Sequence, residues 1–136
     1  MIKKYTFDTN VFSYYIKGNK EIKDRLIKEL LEGNQFIVNP ITYYEISRGL
    51  LAIDSQKKFQ MFKDLCGIFG IIELSNDVLD IAAQNYVILR KKGELIEDAD
   101  LFIAATCIAN DLVLITNNQS HFSRIDGLKI ESWLEK

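Results

Sequence analysis

Proline occurs once in these 136 residues, and cysteine only twice. Cys66 and Cys107 are too few and wrongly spaced for a disulfide framework or a zinc site, and both fall in apolar helical contexts, so they read as buried free thiols. No stretch approaches the roughly 20 apolar residues of a membrane helix. The two lysines near the N-terminus have no long apolar run behind them, and a cytoplasmic protein is expected. Excess basic charge is also missing: 17 basic against 19 acidic residues give a net charge of −2. There is no global positive field for nonspecific DNA binding, and a nucleic-acid substrate would have to be guided by local basic patches. Repeats and low-complexity segments are absent too. What remains, 48% hydrophobic and 26% charged, is the composition of one ordinary soluble domain over 1–136, large enough to bury its own core.

The chain is organised around Tyr5-Thr6-Phe7-Asp8-Thr9-Asn10-Val11-Phe12. An apolar and β-branched run from Ile2 to Phe7 is broken by three small polar residues and resumes as Val11 to Ile16, which predicts strand, tight turn and helix. Asp8 then stands at the carboxyl end of the first strand, where open α/β sheets bind ligands. The same three polar residues also serve as turn and helix-capping groups, so both readings stand on this stretch alone.

Lys20–Glu32 has one apolar side and predicts an amphipathic helix, followed by a short buried strand at Gln35–Val38. Asn39-Pro40 is a strong helix start, a capping side chain before a proline at the first helical position. In that helix, expected from Ile41 to about Leu51, Glu45 lies four residues before Gly49, which leaves room beside the carboxylate. Glu45 reads either as a surface partner of Arg48 at i+3 or as a functional acid. The aromatic stripe Phe59, Phe62 and Phe69 predicts a further helix from Asp54 to Phe69, either packed into the core or presented to a partner chain. Ile71–Leu74 is expected as a third strand. A helix capped by Ser75-Asn76-Asp77 then runs to Lys92, and its basic last turn suits the helix dipole or a phosphate.

The most acidic segment, Glu94 to Asp100, is expected to open a helix reaching about Asn110. Asp100, Ile103, Ala104, Cys107 and Ile108 share the spacing of one helix face, so Asp100 lies on the stripe that must meet the sheet. A carboxylate there requires a partner or a cation, because burying it unpaired costs several kcal/mol. Asp98 points elsewhere and reads as a capping or rim residue. Leu112–Ile115 is a continuous apolar strand of the parallel-sheet type, ending at Thr116-Asn117-Asn118. A turn containing His121 leads to a last strand at Leu128–Glu131, and Trp133 packs back on the core.

Four stretches together resemble the PIN domain family, in its VapC-type toxin ribonuclease branch. They are Phe7-Asp8-Thr9-Asn10-Val11, then Asn39 to Ile46 with Arg48-Gly49, then Asp100-Leu101-Phe102-Ile103-Ala104-Ala105, and the closing block from Leu114 through Asn118 and Phe122 to Trp133. The resemblance implies a three-layer α/β/α fold with a central parallel sheet, Asp8, Glu45 and Asp100 converging in a cleft, and Mg²⁺- or Mn²⁺-dependent endonucleolytic cleavage of RNA. In this reading Asp8 and Asp100 hold the metal, and Glu45 binds a second metal or orients the attacking water. Thr9, Asn10 and Thr116 support them, and Arg48, Lys91 and Arg124 are candidate RNA contacts. Many members carry a further acid in the closing block. Here Asn118 or His121 stands in that region; Asn118 is the candidate ligand through its carbonyl oxygen, and His121 reads as a solvated turn residue.

The resemblance also implies a homodimer and a small VapB-like antitoxin whose C-terminal segment reaches the acidic cleft. Two rivals remain: an inactive PIN-like module that binds RNA or protein, and an aspartyl-phosphate phosphotransferase. The second rival wants another acid where Asn10 stands and a late lysine that the chain lacks before Lys129.

Overall fold

The structure, a computed structural model, describes residues 1–134. In chain order the elements are β1 (Lys4–Phe7), α1 (Thr9–Ile16), α2 (Lys20–Leu31), β2 (Gln35–Phe36), α3 (Pro40–Ala52), α4 (Gln56–Phe69), α5 (Asn76–Lys92), α6 (Asp98–Asn110), β3 (Val113–Ile115), α7 (Gln119–Phe122) and β4 (Lys129–Glu131). The strands form one sheet in the order β2-β1-β3-β4, every neighbouring pair parallel. The chain leaves β1 for β2 on one side and later returns to β3 on the other. That reversal places a topological switch point between β1 and β3, where an open parallel sheet leaves a crevice beyond its strand ends.

Alternation along the strands sorts side chains into two cores. Tyr5, Phe7 and Ile115 join Val11, Phe12, Ile22, Phe36, Phe62 and Trp133 on one face. The rings interlock there: Phe7 lies 4.5 Å from Phe36, 5.5 Å from Trp133 and 5.9 Å from Phe12 between centroids. Truncating a ring so placed costs about 3–5 kcal/mol. The aromatic stripe of α4 belongs to this core through Phe62, which packs on Phe12 and stacks on Tyr43, and through Phe69 on Phe36. On the other face Leu114 packs with Leu101, Ile103, Ala104, Cys107 and Leu112. Helix α6 is buried over almost its whole circumference, because α5 covers its outer side through Val78 and Ala82 against Ala105. Both cysteines are free and buried; burial pushes the Cys66 thiol up to about 11 and Cys107 higher still, so neither is a nucleophile at neutral pH.

Three local expectations change. Ile71–Leu74 does not form a strand: it pairs with the sheet edge only at Ile71, opposite Val38, through Val38 N–H to Gly70 O and Ile72 N–H to Val38 O. Helix α6 begins at Asp98 rather than Glu94, with Glu97 in the capping position. The segment before it stays open because Ile96 is buried in the second core while the carbonyls of Glu94 and Leu95 accept from Arg124 Nη1, each at 3.4 Å. The turn after β3 closes into the short helix α7.

One buried polar group beside the first core is Glu29. Its carboxylate is buried and accepts from Tyr5 Oη (2.8 Å), Asn34 Nδ2 (3.2 Å) and Arg25 Nε (3.4 Å). Burial by itself would raise its pKa, but those bonds and the Arg25 charge outweigh it and hold Glu29 below its ordinary 4.5. A lowered carboxylate stabilises the fold fully above pH 4.5, and that contribution is lost as pH falls through the folded-state value. Urea unfolding of wild type and Glu29→Gln between pH 7 and 3 tests this: the stability advantage of wild type should shrink below about pH 4.5, and a constant difference would contradict it.

Candidate active site

Asp8 continues the β1–β3 ladder: its N–H donates to Ile115 O at 3.1 Å, so the residue is fixed where the two central strands end. Oδ1 accepts from Val11 N–H at 2.9 Å and caps α1, while Oδ2 accepts a short hydrogen bond from Thr116 Oγ1. Capping and a functional role are therefore compatible. The residue is only 6% exposed, an unusual setting for a carboxylate with no cation among its hydrogen-bond partners.

Glu45 is delivered by α3, and two fully buried polar side chains set that helix against the other two acids. Asn39 caps it by accepting from Ile41 N–H (3.0 Å), and its Nδ2 donates to Ile103 O (3.2 Å), one turn beyond Asp100 on α6. Thr42 Oγ1 donates to Phe7 O at 3.3 Å, beside Asp8. Sequence reasoning found the cap and missed both ties, since neither long-range partner leaves a local pattern. Glu45 Oε1 accepts from Thr9 Oγ1 at 2.6 Å, and Oε2 faces Arg48 Nη2 at 3.6 Å. The expected surface pair with Arg48 thus exists on an acid that is also held from the β1 side. Gly49 is not required by crowding, because a Cβ there would meet nothing within 4 Å.

Asp100, in the first turn of α6, has its carboxylate 24% exposed, with Oδ2 3.4 Å from His121 Nδ1. His121 is therefore not the freely solvated turn residue expected from sequence; α7 folds it back onto the acid. Its Nδ1 also lies 2.9 Å from Asn118 Nδ2, and Asn118 N–H donates to Thr116 Oγ1 at 2.9 Å. A continuous chain of polar contacts thus runs Asp8, Thr116, Asn118, His121, Asp100. The i, i+3 spacing of Asn118 and His121 was the one signal for it.

The electrostatics tie the acids together. Burial pushes Asp8 above its ordinary 3.8; the bonds from Thr116 and Val11 oppose that, and the charges of Asp100 and Glu45 add to it. Burial likewise raises Asp100, His121 opposes it, and Glu97 and Glu45 raise it further. Glu97 is an acid of this region that sequence reasoning left aside. Among the described residues, no three His, Cys, Asp or Glu side chains form a ready-made metal-holding group. The acids share a region and repel one another; Asp8 and Glu45 are each held by a hydrogen-bond donor, and Asp100 faces the His121 ring. Their hard oxygens and mutual repulsion still suit a divalent cation, which would relieve the cost of keeping them charged.

The remaining candidates are spread out. Thr9 and Thr116 touch the acids directly, whereas Asn10 is exposed on α1. Arg48 lies beside Glu45. Arg124 is turned onto the Glu94 and Leu95 carbonyls, and Lys91 is exposed in the last turn of α5.

The sequence model of the PIN domain matches residues 5–128, a span containing every residue of this site. The chain belongs to the PIN domain family. It is 36% identical over 129 residues to ribonuclease VapC1 of Methanocaldococcus jannaschii, covering 93% of this chain and 86% of that one. With ribonuclease VapC1 of Haemophilus influenzae strain R2866 it shares 30% identity, covering 95% and 97%. Among solved structures, it superimposes with a TM-score of 0.82 and 30% identity on a chain of VapBC2 from Rickettsia felis bound to a DNA fragment from their promoter, covering 96% of this chain and 98% of that one. PIN-domain nucleases are in general dependent on a divalent metal.

The raised Asp8 fixes the sign of one test. Its native state keeps a proton to higher pH than the unfolded chain, so the stability it contributes below pH 3.8 is lost as pH rises through the folded-state value. Asp8→Asn keeps an oxygen for Val11 N–H and an amide for Thr116 Oγ1, so at pH 7 without metal it should melt above wild type; a lower melting temperature would contradict this. Asn39→Ala, which loses a cap and a buried tie, should cost about 1–3 kcal/mol in urea unfolding.

Proposed function

We propose that this chain is the endoribonuclease toxin of a toxin–antitoxin pair and cleaves RNA phosphodiester bonds by attack of water. The observation that carries the reading is the gathering of Asp8, Glu45 and Asp100 at the β1/β3 switch point, where the charges of Asp100 and Glu45 raise Asp8 and that of Glu45 raises Asp100. Asp8 and Asp100 are the residues to hold Mg²⁺, or Mn²⁺ in its place, with Asn118 a further oxygen donor through its side-chain carbonyl. When bound, such an ion supplies Lewis acidity toward the phosphoryl oxygens and lowers the pKa of the attacking water.

The chain's own groups do the rest. Thr116 and Val11 fix the Asp8 carboxylate, and His121, in its Nδ1–H tautomer, donates to that of Asp100. Thr9 holds Glu45 by one oxygen, leaving the other to orient the water once Arg48 turns to a phosphate. No side-chain nucleophile is needed. Arg48, Lys91 and Arg124 are the cations available to the RNA strand.

The partner is a VapB-like antitoxin, and the active chain is a homodimer. The surface best suited to the antitoxin is an open groove of about 780 Å³ between the end of α1, α3 and α4. Ile46, Phe62 and Leu65 give it an apolar floor, and Lys17, Lys57 and Lys58 stand around it, which suits an amphipathic segment flanked by acids.

Cleavage of total cellular RNA in Mg²⁺, with mapping of the new ends, tests the activity. Asp8→Asn, Glu45→Gln and Asp100→Asn should each lower the rate by about 100-fold or more while remaining folded. Cleavage that survives all three substitutions would show that the activity lies elsewhere.

A further inference from the structure

Tyr44 is the most exposed aromatic side chain among the described residues, at 59%, and it stands next to Glu45 on α3. The Arg48 guanidinium lies over its ring, 5.2 Å from the centroid, and the same guanidinium reaches Glu45 Oε2 at 3.6 Å. One arginine therefore bridges the ring and the site carboxylate. Most of the other aromatic rings pack into or against the cores; Tyr14 and Tyr86 are exposed too, at 44% and 39%, but Tyr44 is the one that shares an arginine with a site carboxylate. Folding does not explain it: an exposed cation–π pair one helical turn apart contributes little to stability.

We propose that Tyr44 and Arg48 form a nucleotide subsite, in which the open face of the Tyr44 ring stacks on an unpaired RNA base next to the cleaved phosphodiester. Arg48 leaves Glu45 to pair with a phosphate of the same strand. The chemistry fits single-stranded or looped RNA, because a base can stack on a side chain only when it is splayed out of a helix. A planar guanidinium matches phosphate with two parallel N–H bonds, and a lysine would not. A net charge of −2 gives no global pull on RNA, so a stacking contact supplies affinity that net charge does not. The subsite deepens the endoribonuclease reading and rests on it.

Two measurements on the full-length protein test it. In the first, wild type, Tyr44→Leu and Tyr44→Trp digest total cellular RNA in Mg²⁺, and rates and cut sites are mapped by end sequencing. Tyr44→Leu keeps apolar bulk on the helix but no stacking face; kcat/KM should fall by roughly 5- to 150-fold, mainly through KM, with relaxed base preference at one position beside the cut. Melting temperature and Mn²⁺ affinity should stay at wild-type values, and Tyr44→Trp should restore much of the lost rate. In the second, a short single-stranded oligoribonucleotide carrying 2-aminopurine is titrated with each protein: wild type should quench the fluorophore and Tyr44→Leu should not. Wild-type rates and cut sites for Tyr44→Leu would overturn the subsite while leaving the nuclease reading intact. The same result with weakened self-association or antitoxin binding would assign the ring to a protein contact instead. If wild type cuts no RNA, the nuclease reading fails separately, and equal quenching by wild type and Tyr44→Leu would then overturn the subsite as well.

Discussion

Phe7 lies opposite Ile115 in the parallel ladder between the two central strands, and the next residue on each, Asp8 and Thr116, faces the other through a side-chain hydrogen bond. Both strands therefore end together at the switch point of the sheet. Everything else in the site is referred to that pair. Thr42 ties α3 to the carbonyl of Phe7, Asn39 ties the same helix to α6, and the turn after Thr116 brings His121 against Asp100. Three acids from residues 8, 45 and 100 are positioned by backbone anchors rather than by attraction to one another.

They could not be positioned by attraction, because their charges oppose the arrangement. Burial and mutual repulsion raise Asp8 and Asp100, and hydrogen bonds from Thr116, Val11 and His121 offset only part of that. A fold that keeps such groups together gives up stability at the place proposed for a cation and a phosphate. The Glu29 network is the contrasting case, also a carboxylate in a mostly buried setting. There, an arginine, an amide and a phenol more than offset burial, and the result is a structural tie between α2 and β1.

Much of this was legible in the residues. Asp8 could be placed at a strand end because apolar periodicity switches type around it, and Asp100 on a buried face because Ile103, Ala104 and Cys107 repeat at helical spacing. Glu45 could be placed on a helix because Asn39-Pro40 announces its start. The features that were not legible depend on partners distant in sequence. Asn39 reads as a cap, and only the folded chain shows its amide on Ile103. His121 reads as a turn residue, and only α7 brings it to Asp100. The start of α6 shifts to Asp98 because burial of Ile96 and the reach of Arg124 outweigh the local preference of acids for a first helical turn. Ile71–Leu74 has strand-like residues, but the edge strand β2 ends at Phe36, and the segment meets the chain beyond it in a single bridge, at Val38.

The central claim, that these particular carboxylates act together on a divalent ion, is tested most directly by following free Mn²⁺ by electron paramagnetic resonance as apoprotein is titrated. Wild type should remove Mn²⁺ from solution, and folded Asp8→Asn and Asp100→Asn should each remove markedly less. Equal uptake by wild type and both variants would contradict the account.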